Sequence, residues 1–149
     1  MSTMNEIVDE IVRGVLAPGV YRLRTSAQAA SVVAAFTAHG WRVFTIDGSQ
    51  VRDKAGFLTA VAAAMSFPAY FGRNWDAFEE MVNDLSWAPA PGYVLLYDQV
   101  GEFACTDPER WAVAQDILTQ AAQQWEAAGQ PFYVLLRRTR GCVSGVARL

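Results

Sequence analysis

The chain has 149 residues, 52% hydrophobic and 18% charged, with a formal net charge of −3. That balance suits one folded domain with a real core and excludes a disordered chain; no apolar run reaches the ~20 residues that would span a bilayer, so no membrane association is expected. Acidic residues dominate the middle, while Arg137, Arg138, Arg140 and Arg148 gather near the C-terminus, so the central surface points to a basic partner and not to nucleic acid.

The opening stretch MSTMNEIVDEIV carries acidic residues early and has no basic start followed by an apolar core. It does not read as a secretory signal, and a cytoplasmic protein is expected. Residues 5–16 set Ile7, Val8, Ile11, Val12 and Val15 on one face of a short helix, which Ala17-Pro18-Gly19 stops. Residues 20–24 follow as a brief strand. Ser26 is placed to cap a helix over 27–38, ended by His39-Gly40, and 41–46 reads as a strand rich in aromatic and β-branched residues. These pieces form a β–α–β unit, for which a parallel pair with a right-handed crossover is expected.

Asp47-Gly48-Ser49 is a turn, and Asp53 caps a helix running to about Met65 with Phe57, Leu58, Val61 and Met65 inward. A proline–aromatic turn, Pro68-Ala69-Tyr70-Phe71-Gly72, leads into a second consecutive helix opening at Asn74. There Trp75, Phe78, Val82 and Leu85, with Met81 at the margin, recur at three- and four-residue steps and form an inner face. Asp76, Glu79, Glu80 and Asn83 recur at the same steps on another side. After Trp87 and a proline-rich loop, 93–97 is an uninterrupted apolar run, as in a central strand covered on both faces. Asp107-Pro108-Glu109 opens a long helix through Ala128, and 132–136 forms the last strand. Residues from Arg137 onward show no strong periodicity. The sum is an α/β fold in two or three layers around a mainly parallel sheet.

Cys105 and Cys142 have no metal-binding spacing and are expected to be free thiols. The single histidine, His39, sits at a helix end before glycine, where it caps. No nucleophile elbow, phosphate loop, dinucleotide fingerprint or metal-spaced His/Cys cluster is present, so no catalytic residue, metal ligand or cofactor is assigned. Asp76 and Glu80 could in principle serve acid–base chemistry in a small hydrolase, but nothing accompanies them as nucleophile. Their row reads either as a solvated helix face or as an interaction surface. The second reading draws on the lack of any Lys or Arg at pairing distance within the helix and on the aromatic frame of Tyr70, Phe71, Trp75 and Trp87.

The run Pro68-x-Tyr70-Phe71-Gly72-x-Asn74-x-Asp76-Ala77-Phe78, preceded by Ile46-Asp47-Gly48 and a helix and followed by an apolar strand, resembles the barstar family. The resemblance extends over about 42–136. It implies a small three- to four-stranded, mainly parallel sheet packed by helices, with residues 1–41 adding a helix and a strand–helix unit and 137–149 a tail. It also implies an intracellular inhibitor, an antitoxin or immunity protein, whose partner is a basic, secreted or toxic ribonuclease of the barnase kind. The partner-binding residues it implies are Tyr70, Gly72, Asn74, Trp75, Asp76, Glu79, Glu80 and Asn83, with Trp87 matching approximately. The position of Glu80 is one where the family uses a carboxylate in place of a substrate phosphate. The chain departs from the family pattern at Trp75, a family leucine, at Glu79, a family tryptophan, and at Gln124, near a family acidic contact. Trp75, Glu79 and the added N-terminal residues motivate an alternative, a non-inhibitory binding adaptor on the same fold.

Overall fold

The computed structural model describes residues 3–149. In chain order it contains α1 (Met4–Val12), β1 (Gly19–Arg22), α2 (Ala29–Thr37), β2 (Arg42–Asp47), a single 3₁₀ turn (Gly48–Gln50), α3 (Lys54–Met65), α4 (Trp75–Asp84), β3 (Tyr93–Asp98), α5 (Gly101–Thr106), α6 (Pro108–Ala127), β4 (Phe132–Leu136) and β5 (Ala147–Arg148). Polar side chains start most of these helices. Thr3 Oγ1 accepts from the Glu6 amide at 3.2 Å, Asp53 Oδ1 from Gly56 at 2.7 Å, Asn74 Oδ1 from Ala77 at 2.8 Å and Asp107 Oδ1 from Arg110 at 3.3 Å.

The strands form one parallel sheet in the order β2-β3-β4-β1-β5. β3 and β4 are buried along nearly their whole length because both faces are covered. Period-2 alternation sends Tyr93, Leu95, Tyr97, Phe132, Val134 and Leu136 to one face, under α3, α4, α5 and α6. Val94, Leu96, Tyr133 and Leu135 go to the other, where Ile7, Val8 and Ile11 of α1 and Val32 and Phe36 of α2 cover them. The result is two separate apolar clusters with the sheet between them. No helix among the described residues is long and apolar enough to cross a membrane.

Phe57 sits at the centre of the larger cluster and joins α3 to three neighbours. Its ring centroid lies 5.3 Å from Phe78 of α4, 5.5 Å from Phe103 of α5 and 6.0 Å from Tyr97 of β3. Truncating a ring packed in this way to alanine costs about 3–5 kcal/mol.

Several expectations change. β1 and β2 lie in the same parallel sheet but do not pair, because β3 and β4 stand between them. β1 instead fills the open edge of β4, with Val20 opposite Val134, and α2 carries the chain back across the sheet to β2. The sheet has five strands because two residues of the tail, Ala147 and Arg148, pair with Tyr21 and Arg22. α2 starts at Ala29 and not at 27, and Ser26 does not cap it. Its N-cap is Gln28, which makes no side-chain bond, while Thr25 Oγ1 accepts from the Ala27 amide at 3.0 Å.

α5, unassigned from the sequence, is six residues long and too short to show a period. It opens on Gly101 because a Cβ there would lie 2.8 Å from the Arg138 carbonyl oxygen. The cysteines are not free thiols: Cys105 and Cys142 form a disulfide that ties the end of α5 to the tail. Their separation of 37 residues gave no local signal, and only the return of the tail past α5 brings their Cα atoms to 5.2 Å.

Candidate functional site: the acidic face of α4 and the loop before it

Residues 66–74 connect α3 to α4 and are held from below by packed aromatic rings. Phe67 packs edge-on against Phe71 at 4.9 Å and against Trp87 at 5.9 Å. Trp87 is half-buried, and its indole N–H donates to the Met65 carbonyl at 2.9 Å. The Phe71 amide closes a turn onto Pro68 at 3.0 Å. Above this support Tyr70 projects at the tip with 73% of its surface exposed.

Gly72 sits where space is tight. A Cβ there would approach Asn74 Nδ2 to 3.3 Å and crowd the cap that starts α4. Arg73 takes a left-handed conformation at φ 51°, a conformation that costs a non-glycine residue of order 1 kcal/mol or more and sets the sharp entry into the helix.

Once α4 begins, its two sides separate by burial. Phe78, Met81, Val82 and Leu85 are at most 3% exposed, so Met81 belongs fully to the inner face. Asp76, Glu79, Glu80 and Asp84 are all exposed. None of these four carboxylates has a cationic partner within 4 Å among the described residues, although six ion pairs form elsewhere. Asp76, Glu80 and Asp84 follow at four-residue steps, which stacks three like charges along one line of the helix. Asp84 was not singled out from the sequence, though its place four residues after Glu80 was the available signal.

The nine residues singled out therefore divide. Tyr70, Gly72, Asn74, Asp76, Glu79 and Glu80 form one exposed surface running from loop tip to helix side, while Trp75, Asn83 and Trp87 are half-buried. Trp75 leans inward onto Phe57 at 6.0 Å and lies 5.3 Å beneath Lys54 Nζ, a cation–π contact with the first residue of α3. Asn83 Nδ2 donates back to the Glu79 carbonyl at 2.8 Å, and its Oδ1 is enclosed with no hydrogen-bond partner. Trp87 supports the loop from beneath. No group of three His, Cys, Asp or Glu side chains is arranged to hold a metal among the described residues. Chemically, the surface can present a fixed row of anionic oxygens to cations.

Comparison with family models matches residues 41–137, 97 of the 149, to Barstar (barnase inhibitor). The chain belongs to the barstar family. A comparison with curated proteins found no match. The barstar match begins at Trp41, immediately before β2, and ends at Arg137, immediately after β4. The family segment thus holds β2, β3 and β4 with α3 to α6, and the acidic face lies inside it. α1, β1, α2 and the tail with β5 fall outside.

Proposed function

We propose that the protein inhibits a barnase-type ribonuclease within the cell that makes it, as an antitoxin or immunity protein with no catalysis of its own. The observation that carries this reading is the unneutralised carboxylate row of α4 behind a rigid exposed loop, in a chain of the barstar family. A ribonuclease holds substrate phosphates with Arg, Lys and His, and a preformed row of carboxylates can occupy the same cationic groups. Glu80 is the best candidate to stand where a phosphate would, with Asp76 one turn earlier at the helix N-terminus. Glu79 adds a third carboxylate, and Tyr70 supplies an aromatic anchor at the rim. Opposite charge also speeds encounter, an effect that salt weakens.

The adaptor reading drew on Trp75, Glu79 and the N-terminal addition, whose Ile7, Val8, Ile11, Val32 and Phe36 are taken up in covering the sheet. Trp75 is taken up by packing on Phe57, and Glu79 raises the negative charge of the face, so inhibition is the better supported. The test is to mix the full chain with a barnase-type ribonuclease encoded beside it and follow RNA cleavage. Full protection at equimolar protein, reduced in Asp76→Ala and Glu80→Ala and retained in Glu126→Ala on the far end of α6, is the expected outcome. Absence of protection by the wild-type chain overturns the reading. The cytoplasmic placement is part of the same proposal. The Cys105–Cys142 bond makes it testable, because structural disulfides are rare in a reducing cytoplasm and alkylation of the protein in intact cells reads the thiol state directly.

A further inference from the structure

In an open parallel sheet, ligands settle at the carboxyl ends of neighbouring strands whose outgoing connections leave toward opposite faces. The family segment alone, with β2, β3 and β4 in sequential order, has no such place. The added strand makes one. From the end of β1 the chain passes to α2, on the face of the smaller cluster, while from the end of β4 it passes to a tail whose Val143 and Val146 pack into the larger cluster. Between these two diverging exits lies an open crevice of about 850 Å³, a size suited to a small molecule.

Its lining is strongly cationic. Arg24 comes from the loop after β1, Arg137 and Arg138 from the end of β4, and Arg148 from β5. The Thr25 and Ser26 hydroxyls stand among them, and Leu23 and Leu149 give it an apolar wall. No carboxylate side chain lines the crevice. Beside it the Asp98 carboxylate lies 3.8 Å from Arg137 Nη1 and 3.6 Å from Arg138 Nη1, while Arg24 and Arg148 make no ion pair among the described residues.

Arg137 is the second observation. It is the one buried charged side chain among the described residues, only 5% exposed. Its Nη2 donates to the Ala27 carbonyl at 2.9 Å, which holds the loop before α2, but Nη1 has no hydrogen bond at all. A buried guanidinium with a free N–H group is costly unless an acceptor meets it. Several guanidinium groups with two hydroxyls suit a tetrahedral dianion, which accepts from more donors than a carboxylate can.

We propose that this crevice binds a small phosphate monoester, with the phosphate among Arg24, Arg137 and Arg148 and the organic part against Leu23 and Leu149. Only Arg137 of the lining lies in the family-matched segment, so the site belongs to what this chain adds and is separate from the acidic face of α4.

Isothermal titration of the full chain with phenyl phosphate, adenosine monophosphate, orthophosphate and benzoate tests the assignment. Saturable binding of the two esters at millimolar concentration or tighter is expected, with orthophosphate weaker and benzoate weakest. Arg24→Ala and Arg148→Ala, both at exposed positions, each weaken ester binding roughly tenfold or more, as loss of a charge-assisted hydrogen bond does. Arg110→Ala, on the outer side of α6, leaves it unchanged. Arg137→Met abolishes binding, and its melting temperature shows whether the fold survives; the two exposed variants decide the matter if it does not. No ester binding by the wild-type chain, or equal binding by Arg24→Ala and Arg148→Ala, overturns the proposal. So does a single-stranded RNA that binds through these arginines more tightly than either ester, which would make the surface a nucleic-acid contact. Ribonuclease inhibition by Arg24→Ala and Arg148→Ala, measured alongside, stays at the wild-type level, so either site can fail without the other.

Discussion

Glu80→Gln separates the two consequences of stacking charge on α4. In the free protein Glu80 stands four residues from Asp76 and four from Asp84, with no cation within ion-pair distance among the described residues. Like charges at this spacing destabilise a helix by about 0.2–0.5 kcal/mol per pair. Neutralising Glu80 relieves two pairs, so the free protein should gain about 0.4–1 kcal/mol. For a chain of this size that is roughly 1–4 °C in melting temperature. The amide keeps the shape, so packing contributes nothing to the change.

Against the nuclease the sign reverses. Removing one partner of a desolvated charge pair typically costs about 2–5 kcal/mol, hence roughly thirty-fold to several thousand-fold in the inhibition constant. The assay is thermal denaturation at low and at about 1 M salt, where the screening length falls to ~3 Å, with inhibition measured on the same samples. Stabilisation should appear at low salt and fade at high salt, while inhibition is lost. A less stable Glu80→Gln protein, or one that inhibits as well as wild type, refutes the reasoning, because the row would then be neutralised in a way the geometry does not contain.

Asn74→Ala removes the acceptor for the Ala77 amide and should lower stability by about 1 kcal/mol and weaken inhibition as the loop loses its fixed entry; both are read in the same two assays. Replacing Cys105 and Cys142 by serine opens a link across 37 residues and should cost about 2–4 kcal/mol, seen as a lower urea midpoint; an unchanged midpoint contradicts it. Burial pushes the Tyr133 phenol up to about 12 and raises Tyr97 further, so the folded state holds these protons more tightly than the unfolded chain, whose phenols titrate near 10. Their contribution is complete below pH ~10 and is lost as pH rises through about 12, falling by about 1.4 kcal/mol per pH unit for each phenol. Alkaline unfolding followed by tyrosinate absorbance checks this. Tyr97→Phe should cost little at neutral pH, since the Tyr97 hydroxyl has no hydrogen-bond partner.

What could be read from the sequence was local. The caps at Asp53 and Asn74, the inner and outer sides of α4, and the doubly covered strands β3 and β4 follow from period and apolar run, which depend on neighbours in the chain. Sheet order does not. β1 joins β4 and not β2 because the open edge of a strand 114 residues away needs a partner, as the pairing of Val20 with Val134 records. The disulfide is hidden for the same reason.

Within the site, charged positions were legible because exposure follows the helix period. The inward lean of Trp75 was legible too, from its place on the inner face, but Asn83 and Trp87 were not, since where a large or amide side chain points depends on what it meets. The Trp87 indole meets the Met65 carbonyl, and the partner that Trp75 finds on the inside is Phe57 of the previous helix; periodicity names neither partner. Lys54 above Trp75 escaped notice because it sits on the previous helix.

The second apolar cluster bears on how this protein can be cut. Val94, Leu96, Tyr133 and Leu135 belong to the family-matched segment, yet their covering residues Ile7, Val8, Ile11, Val32 and Phe36 all precede it. A fragment of residues 41–137 would carry one greasy sheet face into water and leave β4 with an unpaired backbone edge, the combination that templates aggregation. Such a fragment should collect in inclusion bodies even though it contains the whole acidic face. In this chain the acidic face and the cover of the second sheet face are encoded in different segments, and the piece that names the family is not a piece that can be carried away.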